Sequence, residues 1–147
     1  MTKMIVLRGL PGAGKTTYAK AYQEEYPETV RVNRDSLRDM MYDGRWTKAR
    51  EDLVRETENF IVQLALADDR DVIVDDTNLD PEVYFRWQEL VENYNRATVQ
   101  PVKLVTKDFH TSVKQCKINN AKRTGRARVS DEVIDRFYEK YLKNEKK

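Results

Sequence analysis

A short apolar run, MIVLR, ends at Arg8 and opens directly onto GLPGAGKT, Gly9 to Thr16, and no other feature constrains the fold of this chain as strongly. The spacing is G-x-x-x-x-G-K-[ST]. Its glycines let the backbone wrap tightly, so that successive N–H groups converge on an anion. The N-terminus of a following helix adds the positive end of its dipole. Such a loop needs a buried strand before it and a helix after it. The sequence supplies both: MIVLR reads as a core strand, and Tyr18, Ala19 and Tyr22 fall at helical spacing from about Lys15 onward. Gly9, Pro11, Gly12, Ala13, Gly14, Lys15, Thr16 and Thr17 are therefore expected around the phosphates of ATP or GTP. Lys15 is placed to reach the β- and γ-phosphates, and the Thr16 hydroxyl to help hold Mg²⁺.

The rest of the chain alternates short strands with helices. TVRVN (Thr29–Asn33) is β-branched and alternating, a second strand, after which Asp35 is expected to cap a short helix running to Met41. Asp43-Gly44 breaks it. Thr47 can cap a long helix over 48–67, with Leu53, Thr57, Phe60, Ile61 and Leu64 as its apolar stripe. DVIVD (Asp71–Asp75) reads as a third strand. Asp80-Pro81 starts a helix whose inward positions are Val83, Trp87, Leu90 and Tyr94. VQPVKLVT (Val99–Thr106) is a fourth strand, and Pro101 puts it at an edge or delays its start to Val102. A helix over roughly 111–121 follows, then the breaker KRTGRARV, then a last helix capped by Ser130 and carrying Val133, Ile134, Phe137 and Tyr141. Alternating strands and helices predict an α/β fold of the P-loop NTPase type: a parallel sheet of about four to five strands covered by helices on both faces. One domain over 1–147 is expected, with an Arg-bearing lid at approximately 111–130. Ligands of such sheets bind at the carboxyl ends of the strands, and that rule selects which residues meet.

Composition narrows the chemistry. The chain has 147 residues, one cysteine (Cys116) and one histidine (His110), which exclude an internal disulfide and a His-clustered metal site. No apolar run reaches the length of a membrane span, and the N-terminus reads as core strand, not leader, so a reducing cytoplasm (the host's, if the source is a phage) and no membrane partner are expected. Carboxylates, Lys and Arg must carry any reaction. Residues 1–95 hold 13 Lys+Arg against 19 Asp+Glu, and residues 96–147 hold 14 against 6, so the C-terminal third is the basic part. It suits either a polyanion or ordinary solvated helix faces.

Three further segments fall on the phosphate-loop rim. Asp75 and Asp76 end the third strand, and alternation lets only one of them face Mg²⁺. Asn33-Arg34-Asp35-Ser36-Leu37-Arg38 ends the second strand. Transfer of a phosphoryl group to a hydroxyl needs a carboxylate to accept the proton, which Asp35 can supply, while Arg38 on the same helical face can grip a phosphate of the acceptor. The plainer alternative is a helix cap with an i,i+3 surface pair. Lys122, Arg123, Arg126 and Arg128 lie in KRTGRAR, where Gly125 gives freedom; the segment can close over a triphosphate or be a basic solvated loop. Trp46, Tyr42 and Trp87 are candidates for base stacking, Trp87 standing on an apolar stripe that points to the core.

GLPGAGKTT, NRDSLR, DDTNLDPE and NAKRTGRARV, in that order, resemble the bacteriophage-type polynucleotide 5′-hydroxyl kinases and the kinase domain of the polynucleotide kinase–phosphatases. The resemblance covers nearly the whole chain. It implies that Lys15 and Thr16 bind ATP and Mg²⁺, and that Asp35 is the general base toward a 5′-hydroxyl. It implies that Arg38 binds the phosphate next to that hydroxyl. Asp76 would support the metal, by way of water, and the acceptor, with Thr77 and Asn78 beside it. Arg123 would be the lid arginine on the donor phosphates, with Arg126 the second candidate. Some members carry another basic residue where this chain reads Ile118, Asn119 and Asn120. A kinase without a phosphatase domain is implied, acting on 5′-OH ends of DNA or RNA in nucleic acid repair. The competing expectations are a kinase of a nucleotide, sugar or antibiotic on the same scaffold, and a non-catalytic ATP-binding module.

Overall fold

The computed structural model describes residues 1–145. Four strands form one parallel sheet in the order β2-β3-β1-β4, where β1 is Lys3–Arg8, β2 Val30–Val32, β3 Val72–Val74 and β4 Lys103–Asp108. The sheet has four strands, the lower end of the expectation. Register aligns Val32, Val74 and Val6, so β2 and β3 end level and β1 runs two residues further, to Arg8. The segments that leave them (9–16, 33–35 and 75–78) therefore meet on one rim.

Alternation along β1 splits the core between two faces. Met4 and Val6 point to one side, where Val32, Val72 and Val74 join Val62 and Leu66 of α3 (Lys48–Ala67) and Trp87 and Val91 of α4 (Pro81–Ala97). Ile5 and Leu7 point to the other, packing with Ile73 on Ala19, Tyr18 and Tyr22 of α1 (Lys15–Glu25). A third cluster lies beneath the glycine-rich loop. There Leu10, Ala13 and Leu79 meet Cys116 of α5 (Val113–Ala121) and Ile134 of α6 (Asp131–Phe137). Each fully buried aliphatic side chain contributes about 1.5–3 kcal/mol. The phosphate loop is thus floored by packed side chains on both of its flanks.

Most boundaries follow local chemistry. Thr47 caps α3 by accepting from Arg50 N, and Asp80 caps α4 ahead of Pro81 by accepting from Glu82 N. β4 is an edge strand and starts after Pro101, so both readings of that proline hold. Three expectations are corrected. The cap of α2 (Arg34–Tyr42) is Asn33, whose Oδ1 accepts from Ser36 N at 2.8 Å, which leaves the Asp35 carboxylate unused by the helix. Ser130 precedes α6 without a capping hydrogen bond, and Tyr141 belongs to a π-helical turn, Tyr138–Leu142, that continues it. The face of α3 is also turned: Val54, Glu58, Val62, Ala65 and Leu66 are buried, and of the expected stripe Ile61 packs against the core, whereas Leu53, Phe60 and Leu64 are 46, 62 and 56% exposed.

Candidate active site

The donor side is a rigid cradle. Gly12 has φ +85°, and a Cβ there would stand 2.4 Å from the Cys116 carbonyl oxygen, so only glycine fits. Gly9 N donates to Thr77 O at 3.0 Å, Asn119 Nδ2 to Gly12 O at 2.9 Å and Thr111 Oγ1 to Ala13 O at 2.9 Å. The loop is held from the β3–α4 turn on one side and from α5 on the other. Asn119 and Asn120 thus have local duties. Asn119 holds the loop, and buried Asn120 exchanges two hydrogen bonds with the backbone of Val129.

Lys15 is buried inside this cradle, its Nζ donating to Gly9 O at 2.9 Å and Leu10 O at 2.6 Å. Burial pushes its pKa down to about 8, with Asp75 pulling upward and Arg123 adding to the depression. Arg123 is therefore close enough for its charge to be felt at the loop. Thr17 is exposed on the first turn of α1.

The two aspartates part ways, as alternation requires. Asp75 is buried; its Oδ2 accepts from Thr16 Oγ1 at 2.9 Å and from Arg31 Nε at 2.8 Å. The carboxylate next to the loop threonine is thus Asp75. Asp76, expected at the metal, turns toward α2 and α3 instead: its Oδ1 accepts from Arg34 N at 2.8 Å, and its other partner is Glu58. Glu58 is fully buried, with Arg34 Nη2 at 3.4 Å from its Oε1. Burial, reinforced by the Asp76 carboxylate, raises Glu58 far above the usual carboxylate range and keeps it protonated at neutral pH. That proton accounts for Glu58 Oε2 and Asp76 Oδ2, two buried oxygens with no other donor. A hydroxyl and a carboxylate beside a phosphate loop are hard oxygen donors that suit Mg²⁺. Among the described residues no group of three or more His, Cys, Asp or Glu could hold a metal.

The acceptor rim is built by α2 and α3. Asp35 projects from the first turn of α2 and is the most exposed acid here, its side chain 79% accessible; Arg38 Nη1 donates to it at 2.8 Å. The side edge of the Arg38 guanidinium, Nε and Nη2, is clamped by both oxygens of Glu51 at 2.7 Å. This ion pairing raises the Arg38 pKa further and fixes the plane of the guanidinium. Of its five N–H groups, two remain for a ligand.

Thr77 lines the cleft, its carbonyl occupied by Gly9 N. Asn78, expected at the acceptor, borders the cleft with its side-chain amide engaged in the fold. It is buried at φ +50°, its Nδ2 donates to Leu7 O at 2.7 Å, and its Oδ1 accepts from Trp87 Nε1 at 3.0 Å. Asn78 shapes the DDTN turn, and Trp87 is core.

The lid returns over this cleft. Arg123 Nη1 donates to Ala127 O at 3.3 Å. Arg126, the second candidate for the donor phosphates, reaches away from them: it pairs with Asp39 and with Asp43 at the end of α2, and packs on Gly44. Trp46 is exposed nearby, and Tyr42 lies under the Arg50 guanidinium. Together these parts line one cleft of about 860 Å³, to which Lys15, Thr16, Asp75, Asp35, Arg38 and Arg123 all contribute. Its walls combine charged side chains with an apolar patch of Val83, Val129, Val133 and Phe137, and the charged part suits holding a triphosphate. Arg31, Glu51 and Glu58 were not found by sequence reasoning. Arg31 sits in a β-alternation and the two glutamates in a helix, with nothing in their local pattern to mark them.

Comparison with known proteins agrees with this fold. The model of a family described as AAA domain (AAA_33) matches residues 4–143. An L-seryl-tRNA(Sec) kinase of Methanococcus maripaludis is 33% identical over 79 residues, covering 51% of this chain and 30% of that protein. A candidate bifunctional polynucleotide kinase/RNA ligase of Autographa californica nuclear polyhedrosis virus is 28% identical over 155 residues, 96% of this chain and 21% of that one. The chain thus spans less than a third of the length of either. A solved Pnkp1/Rnl/Hen1 RNA repair complex superposes with a TM-score of 0.75 at 25% identity, over 92% of this chain and 42% of the matched chain. The APS kinase CysC of Mycobacterium tuberculosis, at 15% identity and a TM-score of 0.63 over 82% of this chain and 69% of its own, shares the fold alone. No described helix is long and apolar enough to cross a membrane. With its phosphate loop, its parallel sheet and a family match over nearly its whole length, the chain belongs to the AAA domain family of P-loop kinases and within it resembles the polynucleotide kinase type.

Proposed function

We propose that this chain transfers the γ-phosphate of ATP to the 5′-hydroxyl end of a polynucleotide. One observation carries the reading: Asp35, free of capping duty, lines the same cleft as Lys15 and Thr16 of the phosphate loop and is paired with an arginine that Glu51 holds in place. In this scheme the triphosphate lies on the backbone N–H groups of the loop. Lys15 leaves its own loop carbonyls for the β- and γ-phosphate oxygens. Thr16 and Asp75 would hold Mg²⁺, which would supply charge neutralisation for the transferring group. Asp35 takes the proton from the attacking hydroxyl. The two open N–H groups of Arg38 bind the phosphate that follows that hydroxyl in the acceptor, so a polynucleotide end is preferred to a free sugar. Arg123 closes from the lid onto the charge that spreads over the transferring oxygens. The names of the two curated relatives, one a kinase of seryl-tRNA and one of polynucleotides, support an acceptor attached to nucleic acid.

A second reading follows from the first of these relatives: the acceptor hydroxyl belongs to an aminoacyl group on RNA. The test is transfer of label from γ-labelled ATP to a panel: 5′-OH DNA and RNA oligonucleotides, a 3′-nucleotide, a nucleoside, free sugars and seryl-tRNA. Label on 5′-OH oligonucleotides, lost in Asp35→Asn, is the expected result. Label on sugars or seryl-tRNA but not on oligonucleotides refutes the first reading, and unchanged transfer by Asp35→Asn refutes the role of the base.

A further inference from the structure

Asp75 carries more donors than its neighbours in the cleft. Its Oδ2 accepts from Thr16 Oγ1 at 2.9 Å, from Arg31 Nε at 2.8 Å, and lies 2.7 Å from Arg31 Nη2. The carboxylate is 1% exposed and Arg31 19%. Backbone contacts fix the aspartate from both sides: Asp75 N donates to Val32 O at 2.9 Å, and Asp75 O accepts from Asn33 Nδ2. Arg31 rises from the middle of β2, the strand next to β3, so its reach to Asp75 is set by sheet register, with Val32 beside Val74. Both nitrogens of the guanidinium side edge bear on the oxygen that also receives the loop threonine.

From this geometry we propose that Arg31 guards the metal side of the site: it suppresses binding of a divalent cation at Thr16 and Asp75 until a triphosphate is present. The inference rests on the proposed assignment of Thr16 and Asp75 to Mg²⁺. Two protein oxygens are few for an ion that takes six, and one of them is already compensated by a fixed positive charge. A divalent cation arriving alone meets the repulsion of Arg31, while the Asp75 charge that would attract it is already paired. A triphosphate brings up to four negative charges and its own oxygens to the same place, and that excess outweighs one guanidinium. Arg31 thereby couples metal entry to nucleotide entry and keeps the buried Asp75 charge paired in the meantime. Lys15, Arg34 and Arg123 also face the cleft, but none of them bonds to Asp75, so the effect is assigned to Arg31.

The probe is Mn²⁺ alone, followed by loss of its free-ion electron paramagnetic resonance signal, with and without the β,γ-imido analogue of ATP. Without nucleotide, Arg31→Gln is expected to bind Mn²⁺ about tenfold or more tightly than wild type, the response to removing a unit charge a few ångströms from the ion. Adding Asp75→Asn to that variant should abolish the gain. With the analogue, wild type and Arg31→Gln should agree to within about threefold, because the triphosphate dominates the field. Arg31→Met, which keeps the packed stem, runs in parallel as a second neutral variant in case the amide does not fold. Nucleotide-free affinity that is unchanged or lower in a folded neutral variant overturns the guard. If instead Asp75→Asn leaves Mn²⁺ binding intact in the presence of the analogue, the metal assignment itself falls, and the guard with it.

Discussion

Lys15 is the group whose environment costs folding most directly, and the cost can be read by titration. Burial lowers its pKa from 10.5 to about 8. At 1.36 kcal/mol per unit, the folded state disfavours the charged amine by about 3 kcal/mol. Between these two values the unfolded chain holds a proton that the folded one has released. Stability therefore rises with pH across this window, and the penalty is fully present below about pH 8. Lys15→Met removes the penalty but also two hydrogen bonds, to Gly9 O and Leu10 O, worth about 1 kcal/mol each. Near neutral pH the methionine variant should be more stable than wild type by about 1 kcal/mol, and above about pH 10.5 less stable by about 2 kcal/mol. Urea unfolding of both proteins without nucleotide, at about pH 7, 9 and 10.5, gives the difference and cancels the titration of the tyrosines. The two stability curves must cross. Curves that run parallel would refute the depressed pKa and with it the claim that the loop strains its own lysine before a phosphate arrives.

Three other outcomes follow from named contacts. Glu51→Gln keeps the shape but not the charge of the clamp on Arg38; steady-state kinetics should show the KM for a 5′-OH oligonucleotide rising about tenfold, with a smaller change in kcat. Glu58 is protonated when folded, so Glu58→Gln should shift the thermal midpoint little, within about 1 kcal/mol, whereas Glu58→Ala leaves a cavity and an unpaired Arg34 and should cost about 2–4 kcal/mol. Asn78→Ala strips partners from buried groups at Leu7, Val74, Asp76 and Trp87, and in denaturant should lose about 3 kcal/mol, with any fall in transfer tracking the unfolded fraction.

The sheet was legible because its signals are local. Strand-loop-helix order around Gly9–Thr16 dictates a parallel sheet, and Thr47, Asp80-Pro81 and Asp43-Gly44 mark helix ends by chemistry that acts over a few residues. The cap of α2 was misjudged by two positions because Asn33 and Asp35 are both good caps. The choice falls to Asn33, whose Nδ2 also reaches the backbone of Asp75, a contact between residues 42 apart. The structural duty of Asn78 is hidden for a similar reason: its partners, Leu7 O and Trp87 Nε1, are distant in the sequence.

The face of α3 shows why the site was harder to read than the fold. Apolar spacing favours Leu53, Phe60 and Leu64, yet the helix buries the side that carries Glu58 and half-buries Glu51. Those glutamates are seven residues apart, two turns, and so lie on one face. Arg34 and Arg38 are four apart on α2 and also lie on one face. The two helices pack with Arg38 against Glu51 and Arg34 against Glu58, so their contact is a ladder of charge where apolar residues would be the default. An apolar α2–α3 contact would hold the helices as well or better, since buried ion pairs rarely add net stability. The ladder does something that an apolar seam cannot. Its upper rung fixes the plane of Arg38 beside Asp35. Its lower rung, through Asp76 and Arg34 N, fixes the start of the helix on which Asp35 stands. The inward face of α3 is therefore chosen by the site at the expense of amphipathic regularity, and a reading that follows hydrophobic periodicity must miss it there.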